Sequence, residues 1–391
     1  MKLLGINQTT GTLFREVMEA LCAHLGAQAG EVVLLAGTIE EPAGYKRPYT
    51  WVKGCPLRRV SPGRRIWNWL RFGWQALRAM RRYRDRFALI VTNPPVVPWL
   101  AVLGQWLFGL RYALVIYDVY PDVLVEAGLI GEGGFVDRLL RAVNAASLRR
   151  AEYVITLGYR MRRRLEAHLG RRQDVVFHVI PNWADTRFVR PLAKADNPFA
   201  REQGLTDKFV VMYSGALGDS HDLKSIVEAA EILHDQPDVR FLLIGGGLQE
   251  DDIRRLIEHK GLTNCRLLPW RDLDEIPYSL SAADCQIVSI DIGRGGTVVP
   301  SKLYSALAAG AAILAVSPPD TELVQDIERH QCGLWIEPRD PAVLAGAVRK
   351  LRDDPALLAR FKINARAAAE REYDVRVGTA RYVELLRPLL G

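Results

Sequence analysis

Cysteine is scarce and unpatterned in this sequence. Cys22, Cys55, Cys265, Cys285 and Cys332 are odd in number, scattered, and never arranged as Cys-x-x-Cys. Neither a disulfide framework nor a structural zinc site is expected, and the compartment reads as reducing. An unbroken apolar run long enough to cross a bilayer is also missing. Residues 87–110, "FALIVTNPPVVPWLAVLGQWLFGL", carry no charged side chain, but Pro94, Pro95 and Pro98 interrupt them. Strand, proline turn and short buried helix is the predicted sequence of elements. No signal peptide is read at the start, where Met1 leads into "KLLGIN" without a small-residue cleavage pattern, so the chain is expected in the cytoplasm. No Asp-x-Asp pair stands at a strand end to hold a divalent metal, and there is no short repeat or low-complexity tract.

What is present is enough chain for two cores: 391 residues, 49% hydrophobic and 25% charged. The net charge of +7 is unevenly spread. Residues 1–190 hold 28 Lys and Arg against 15 Asp and Glu, a net of +13, whereas residues 191–391 hold 24 against 30, a net of −6. The first half is therefore expected to meet something anionic.

Apolar strand-like runs alternate with amphipathic helical ones throughout. In the first half they are "KLLGIN", "EVVLLAG", "FALIVTN", "YALVIYD", "YVITLG" and "VFHVIPN"; in the second, "FVVMYSG", "FLLIGGG", "CRLLPW", "CQIVSI", "AAILAVS" and "GLWIEP". Continuous apolar strands between helices call for parallel sheets covered on both faces, so an α/β fold of two doubly wound, Rossmann-like domains is predicted. The first spans residues 1–185, a Pro-rich and charged linker 186–207, and the second domain 208–373, with the amphipathic helix 374–391 packing back on the first. Two such sheets would hold ligands at the carboxyl ends of their strands, across a cleft.

"GTVVPSKLYSALAAGAAILA", residues 296–315, places Pro300, Ser301 and Lys302 at the start of an apolar helix. A helix start presents N–H groups and the positive end of the dipole, so an anion suits it. A lysine there opposes the dipole unless an anion accompanies it. In "YSGALGDSHDL", Ser214, Gly215 and Gly218 form a strand-to-helix loop of small residues, in which backbone N–H groups would approach a phosphate. "GGGLQEDDI", at 245–253, has the same form, but its acidic helix start argues for a purely structural turn.

These segments, with "TNPPVV", "YDVYPD" and "VIPNWAD" from the first half, resemble the GT-B glycosyltransferases of family 4, the group of bacterial exopolysaccharide and O-antigen sugar transferases. The resemblance implies a retaining transfer of a hexose from a nucleoside diphosphate sugar, with the nucleotide on the second domain and the acceptor, a lipid-linked saccharide, on the first. It implies no cofactor and no metal. The diphosphate would sit at Pro300, Ser301 and Lys302. The family's two glutamates, eight positions apart, fall here on Thr297 and Ser305, neither of them acidic, with Ser305 able to make one hydrogen bond. The basic residues of the family's first loop fall on Ala216 and His221, leaving Lys302 to carry more of the phosphate charge with help from a protonated His221.

In the first half, Thr9, Thr10 and Gly11 form a polar loop that would contact acceptor or diphosphate. Asp118, at the end of the "YALVIYD" strand, takes the catalytic place that the resemblance gives a His or Asp, orienting the acceptor hydroxyl; Asp122, beside Pro121, reads as a helix N-cap. Two other readings remain open: a catalytically silent GT-B assembly subunit, motivated by Thr297 and Ser305, and a GT-B sugar-nucleotide epimerase.

Residues 63–86 contain eight arginines, and six of the nine tryptophans lie between Trp51 and Trp106. At about 100° per residue, Ile66, Trp69, Leu70, Gly73, Leu77 and Met80 form the stripe expected to face the core. Arg64, Arg71, Arg78 and Arg82 lie opposite, flanked by Trp67 and Trp74. That face suits an anionic membrane surface, placing the protein peripherally on the inner face of the cell membrane. Nucleic acid is not expected, since no recognition motif accompanies the charge.

Overall fold

The computed structural model describes residues 2–26, 30–42, 44–57, 62–126, 128–170, 174–218, 221–290 and 300–390. The chain divides into two compact units, Met1–Pro181 with Arg376–Gly391, and Asn182–Val375.

The first unit runs β1 (Leu3–Ile6), β2 (Thr9–Thr10), α1 (Thr12–Leu25), β3 (Val32–Ala36), β4 (Thr38–Ile39), β5 (Thr50–Lys53), α2 (Pro62–Arg82), β6 (Phe87–Val91), α3 (Val96–Phe108), β7 (Tyr112–Ile116), α4 (Asp122–Glu126), α5 (Phe135–Arg150), β8 (Val154–Thr156), α6 (Tyr159–Leu169) and β9 (Phe177–Val179). Seven strands form a parallel sheet in the order β5-β3-β1-β6-β7-β8-β9, and β2 pairs with β4. Every residue of β1, β3, β6 and β7 is buried, as a sheet covered on both faces requires. Edge strand β5, "TWVK", is only half-buried and lacks that signal.

The second unit runs from a 3₁₀ turn (Lys194–Asp196) through α7 (Pro198–Glu202), β10 (Phe209–Ser214), α8 (Leu223–Ile232), β11 (Val239–Ile244), α9 (Glu250–His259), β12 (Cys265–Leu268), α10 (Ile276–Ser281), β13 (Cys285–Ser289), α11 (Lys302–Ala308), β14 (Ala312–Val316), α12 (Glu322–His330), β15 (Gly333–Ile336) and α13 (Pro341–Asp353) to α14 (Pro355–Glu372). Its six strands are parallel in the order β12-β11-β10-β13-β14-β15. The fold is α/β with two doubly wound parallel sheets. A last helix, α15 (Val375–Leu390), returns the chain to the first unit.

Two expectations need correction. The stretch 186–207 is not a free linker, because it packs on the second unit. Asn197 caps α7 and donates to Tyr278 O (2.8 Å) and Ser281 Oγ (3.1 Å), and Arg366 donates to Val189 O (3.0 Å) and Thr186 O (2.9 Å). The segment after the prolines, α3, is not a buried helix either. Val97, Pro98, Ala101 and Gly104 face inward, while Trp106 and Leu107 on its other side are exposed. Among the described residues no helix is long and apolar enough to cross a membrane.

Candidate active site

In each sheet the order of strand addition reverses beside its first strand, and the carboxyl ends there form a crevice where α/β proteins bind ligands. In the second unit that point lies between β10 and β13. Gly215 follows β10, Ser289 ends β13, and α11 begins at Lys302.

Lys302 does not extend into solvent. Its side chain folds back over the Tyr213 ring, with Nζ 4.2 Å from the ring centroid. It donates to the Tyr213 hydroxyl, to Ala216 O (3.4 Å) and to His221 Nε2 (3.3 Å). None of these partners carries a negative charge. Burial pulls the ammonium down from its ordinary 10.5 to about 8. The site therefore holds a largely desolvated cation that has no carboxylate partner among the described residues.

Glycine makes this possible. At Gly215 (φ 143°) a Cβ would stand 2.2 Å from Lys302 Cε. Backbone packs on backbone beneath it: a Cβ at Gly245 would meet Gly215 O at 2.0 Å, and one at Gly247 would meet Leu217 O at 2.5 Å. The "GGG" turn thus supports the loop, in keeping with its structural reading.

This geometry revises the expected role of the Gly215 loop. The N–H groups of Gly215 and Leu217 are already spent on Ile244 O (2.8 Å) and Gly246 O (3.1 Å), so neither is offered to a phosphate. Gly218 O accepts from Gln249 Nε2 (2.5 Å), which also reaches His221 O (3.0 Å). Ser214 and Gly218 are half-buried. The start of α8 is occupied by its own carboxylate, since Asp222 Oδ1 accepts from Ser225 N at 3.3 Å. Beside this loop the positive charge is that of Lys302.

His221 is corrected as well. Its Nδ1 stands 3.1 Å from Ser289 O, an acceptor, so Nδ1 carries the proton and Nε2 accepts from Lys302. In this arrangement the imidazole orients the lysine, and a second cation 3.3 Å from Nζ would repel it. Ser305 donates to Lys302 O (3.1 Å) inside its own helix, which commits its hydroxyl proton. Pro300 is buried, Ser301 is exposed at the helix start, and Thr297 lies outside the described residues.

In the first unit the corresponding crevice lies where β1 meets β6. Asp118 stands two residues past β7, half-buried, and its N–H points to Thr92 Oγ1 (3.4 Å), which also accepts from Tyr117 N (3.0 Å). Thr9 is exposed and Gly11 half-buried at the N-cap of α1. Thr10, by contrast, is buried with its hydroxyl turned to Asn7 O (3.4 Å), so it does not face a ligand. Asn7, unmarked in the sequence reading, is 1% exposed at the end of β1, and neither polar atom of its side-chain amide has a hydrogen-bond partner among the described residues. Its only sequence signal was an amide directly after an apolar strand.

Asp122 is not a side-chain N-cap. It is buried and meets Arg141 (2.8 Å), His168 (2.8 Å) and Arg164 (3.4 Å). Burial alone would raise its carboxyl, but His168 and Arg141 outweigh it and hold the group down at about 2.

On α2 the buried stripe is rotated from the expected one. Phe72, Gly73, Ala76, Ala79 and Met80 are buried, while Ile66 and Leu70 are exposed. The reason is α3: a Cβ at Gly73 would meet Leu100 Cδ1 at 3.0 Å, so the helices cross at this glycine and turn Ile66 and Leu70 outward. Arg64, Trp67, Arg71, Trp74, Arg78 and Arg82 are all exposed. Among the described residues no group of three or more His, Cys, Asp or Glu is placed to hold a metal.

Comparison with known proteins adds a second line of evidence. Residues 196–368 match the model of the glycosyl transferases group 1 family, and residues 15–183 the glycosyl transferase 4-like domain. The putative colanic acid biosynthesis glycosyl transferase WcaI of Escherichia coli is 30% identical over 304 residues, 76% of this chain and 73% of that protein. The probable glycosyltransferase WbjE of Pseudomonas aeruginosa is 26% identical over 312 residues, 80% of this chain and 76% of that one. HepE from Anabaena, solved in complex with UDP-glucose, shares the fold with a TM-score of 0.73 at 16% identity, over 99% of this chain and 100% of that structure.

Proposed function

We propose that this chain, which belongs to the family 4-type GT-B glycosyltransferases, moves a hexose from a nucleoside diphosphate sugar to a lipid-linked saccharide, with retention at the anomeric carbon. The observation that carries the reading is Lys302, a cation held by neutral partners at the switch point of the second sheet. Desolvating such a charge costs folding energy, and a diphosphate restores the missing counter-charge. The same contact strengthens as negative charge builds on the departing diphosphate, so it favours the transition state over the ground state.

Asp118 is assigned to the acceptor side. A carboxylate at that strand end orients the attacking hydroxyl and stabilises positive charge as the bond from the anomeric carbon to the diphosphate breaks. The names of WcaI and HepE, one assigned to colanic acid biosynthesis and the other solved with UDP-glucose, support a donor of the nucleotide-sugar class and an exopolysaccharide product. The exposed arginines of α2 support work at an anionic membrane surface. Thermal stabilisation and calorimetry with a panel of nucleoside diphosphate sugars test this. Wild type should bind one of them and Lys302→Ala should lose roughly 1.5 to 3 kcal/mol of that binding. Equal affinity in the two proteins removes Lys302 from the donor site.

Ser305, whose hydroxyl proton is committed within α11, favours one rival, a silent subunit that binds nucleotide sugar without transferring it. Release of nucleoside diphosphate by purified protein decides for the enzyme.

A further inference from the structure

On one side of the first unit, α3 packs between α2 and α5. These helices present a band of large apolar side chains to solvent: Leu70 and Trp74 from α2, Trp106 and Leu107 from α3, Phe135 and Leu139 from α5. Trp106 is 80% and Phe135 82% exposed, and each ring carries on the order of 150–250 Å² of surface. Isolated exposed apolar residues need no explanation, but a band over three adjacent helices does.

Between α3 and α5 the band deepens into a groove of about 670 Å³, within the range of ligand sites. Trp99, Leu103 and Trp106 line one side, and Ala142, Val143 and Ala146 the other, with Arg150 also in the lining. The small residues of α5 open the floor, and the long apolar residues of α3 wall it.

Charge selects the occupant. Six arginines lie on α2 and four on α5, none on α3, and the three helices contain a single acid, Asp137. That acid is buried and paired with Arg141 at 2.9 Å. A surface with hydrocarbon in the middle and one sign of charge around it matches a phospholipid layer, which supplies acyl chains and phosphates together.

We propose that α2, α3 and α5 form one face that inserts into the hydrocarbon of an anionic bilayer, the α3–α5 groove taking an acyl chain of a phospholipid. Adsorption by the arginines alone would leave Trp106 and Phe135 in water. Insertion removes both from it. The proposal rests on the membrane reading of α2 given above and does not depend on the donor site.

The test uses the full chain with vesicles of phosphatidylglycerol and phosphatidylcholine whose acyl chains are brominated. Bound protein should show tryptophan quenching, and Trp106→Phe should remove much of the quenched signal. Phe135→Ser with Leu139→Ser changes only exposed positions, so melting should be unaltered while partitioning at high salt falls at least about tenfold. Ala146→Trp, which fills the groove, should also weaken partitioning. Absence of quenching in bound protein overturns the proposal, as does equal partitioning of the Phe135/Leu139 double variant. So does a vesicle-free dimer that this variant dissolves, because the face would then pair two copies.

Discussion

Gly215 and Lys302 are sterically locked: a single methyl at 215 would occupy space 2.2 Å from Lys302 Cε. Gly215→Ala should therefore act as a lysine variant, driving the ammonium from the Tyr213 ring without removing its charge. Its φ of 143° adds backbone strain. Donor affinity should fall by about tenfold or more, close to the loss in Lys302→Ala, and the double variant should lose little beyond either single one. Additive losses in calorimetry would show that the two residues act separately.

Lys302 also predicts a pH dependence. Its ammonium titrates at about 8 in the folded protein, and a bound diphosphate raises that value. Below about 8 the lysine is already charged and binding takes up no proton. Above it binding must supply one, so donor affinity should weaken as pH rises through 8, by at most about tenfold per unit. Stability moves the other way. The unfolded lysine, at its ordinary 10.5, holds more protons than the folded one between about 8 and 10.5, so this group makes the fold more stable as pH rises across that window. Lys302→Met should abolish the lysine's contribution to both trends, measured by calorimetry and by melting against pH. A variant with the wild-type profile would assign the titration to another group.

All twelve apolar runs read from the sequence became strands, and those buried on both faces, such as β1, β3, β6 and β7, need an unbroken apolar stretch. What escaped depended on partners distant in sequence. Edge strand β5 has no such run. The rotation of α2 is set by its crossing with α3 at Gly73. For Lys302 the sequence offers its place at a helix start, from which a phosphate contact is expected. That it is desolvated against Tyr213, and that Gly215 makes room for it instead of offering an N–H, depends on β10 and α11 meeting from positions far apart in the chain.

Asp118→Asn should lower turnover much more than donor affinity. The substitution keeps volume and removes charge, and Asp118 belongs to the first unit whereas Lys302 belongs to the second. A loss in kcat with unchanged donor binding marks a group used in the transition state. Wild-type turnover would move the acceptor role elsewhere, with buried Asn7, whose side-chain amide has no partner among the described residues, as the next residue to substitute.

The arginines of α2 make the last prediction. Arg64, Arg71, Arg78 and Arg82 are exposed, whereas Phe72, Ala76, Ala79 and Met80 are buried on other faces of the helix. Changing all four to glutamine should leave folding intact, because the altered side chains lie outside the core. Each basic group near an anionic bilayer contributes about 1 kcal/mol, so the fourfold variant should lose most vesicle binding at low salt. Its residual binding, carried by apolar contact, should be nearly independent of salt, whereas wild-type binding should fall as screening shortens the Debye length to about 8 Å near physiological ionic strength. Sedimentation with phosphatidylglycerol vesicles across a salt series separates the two contributions. Parallel salt curves for the two proteins would show that these arginines are solvated cover and that the membrane attraction arises on another surface.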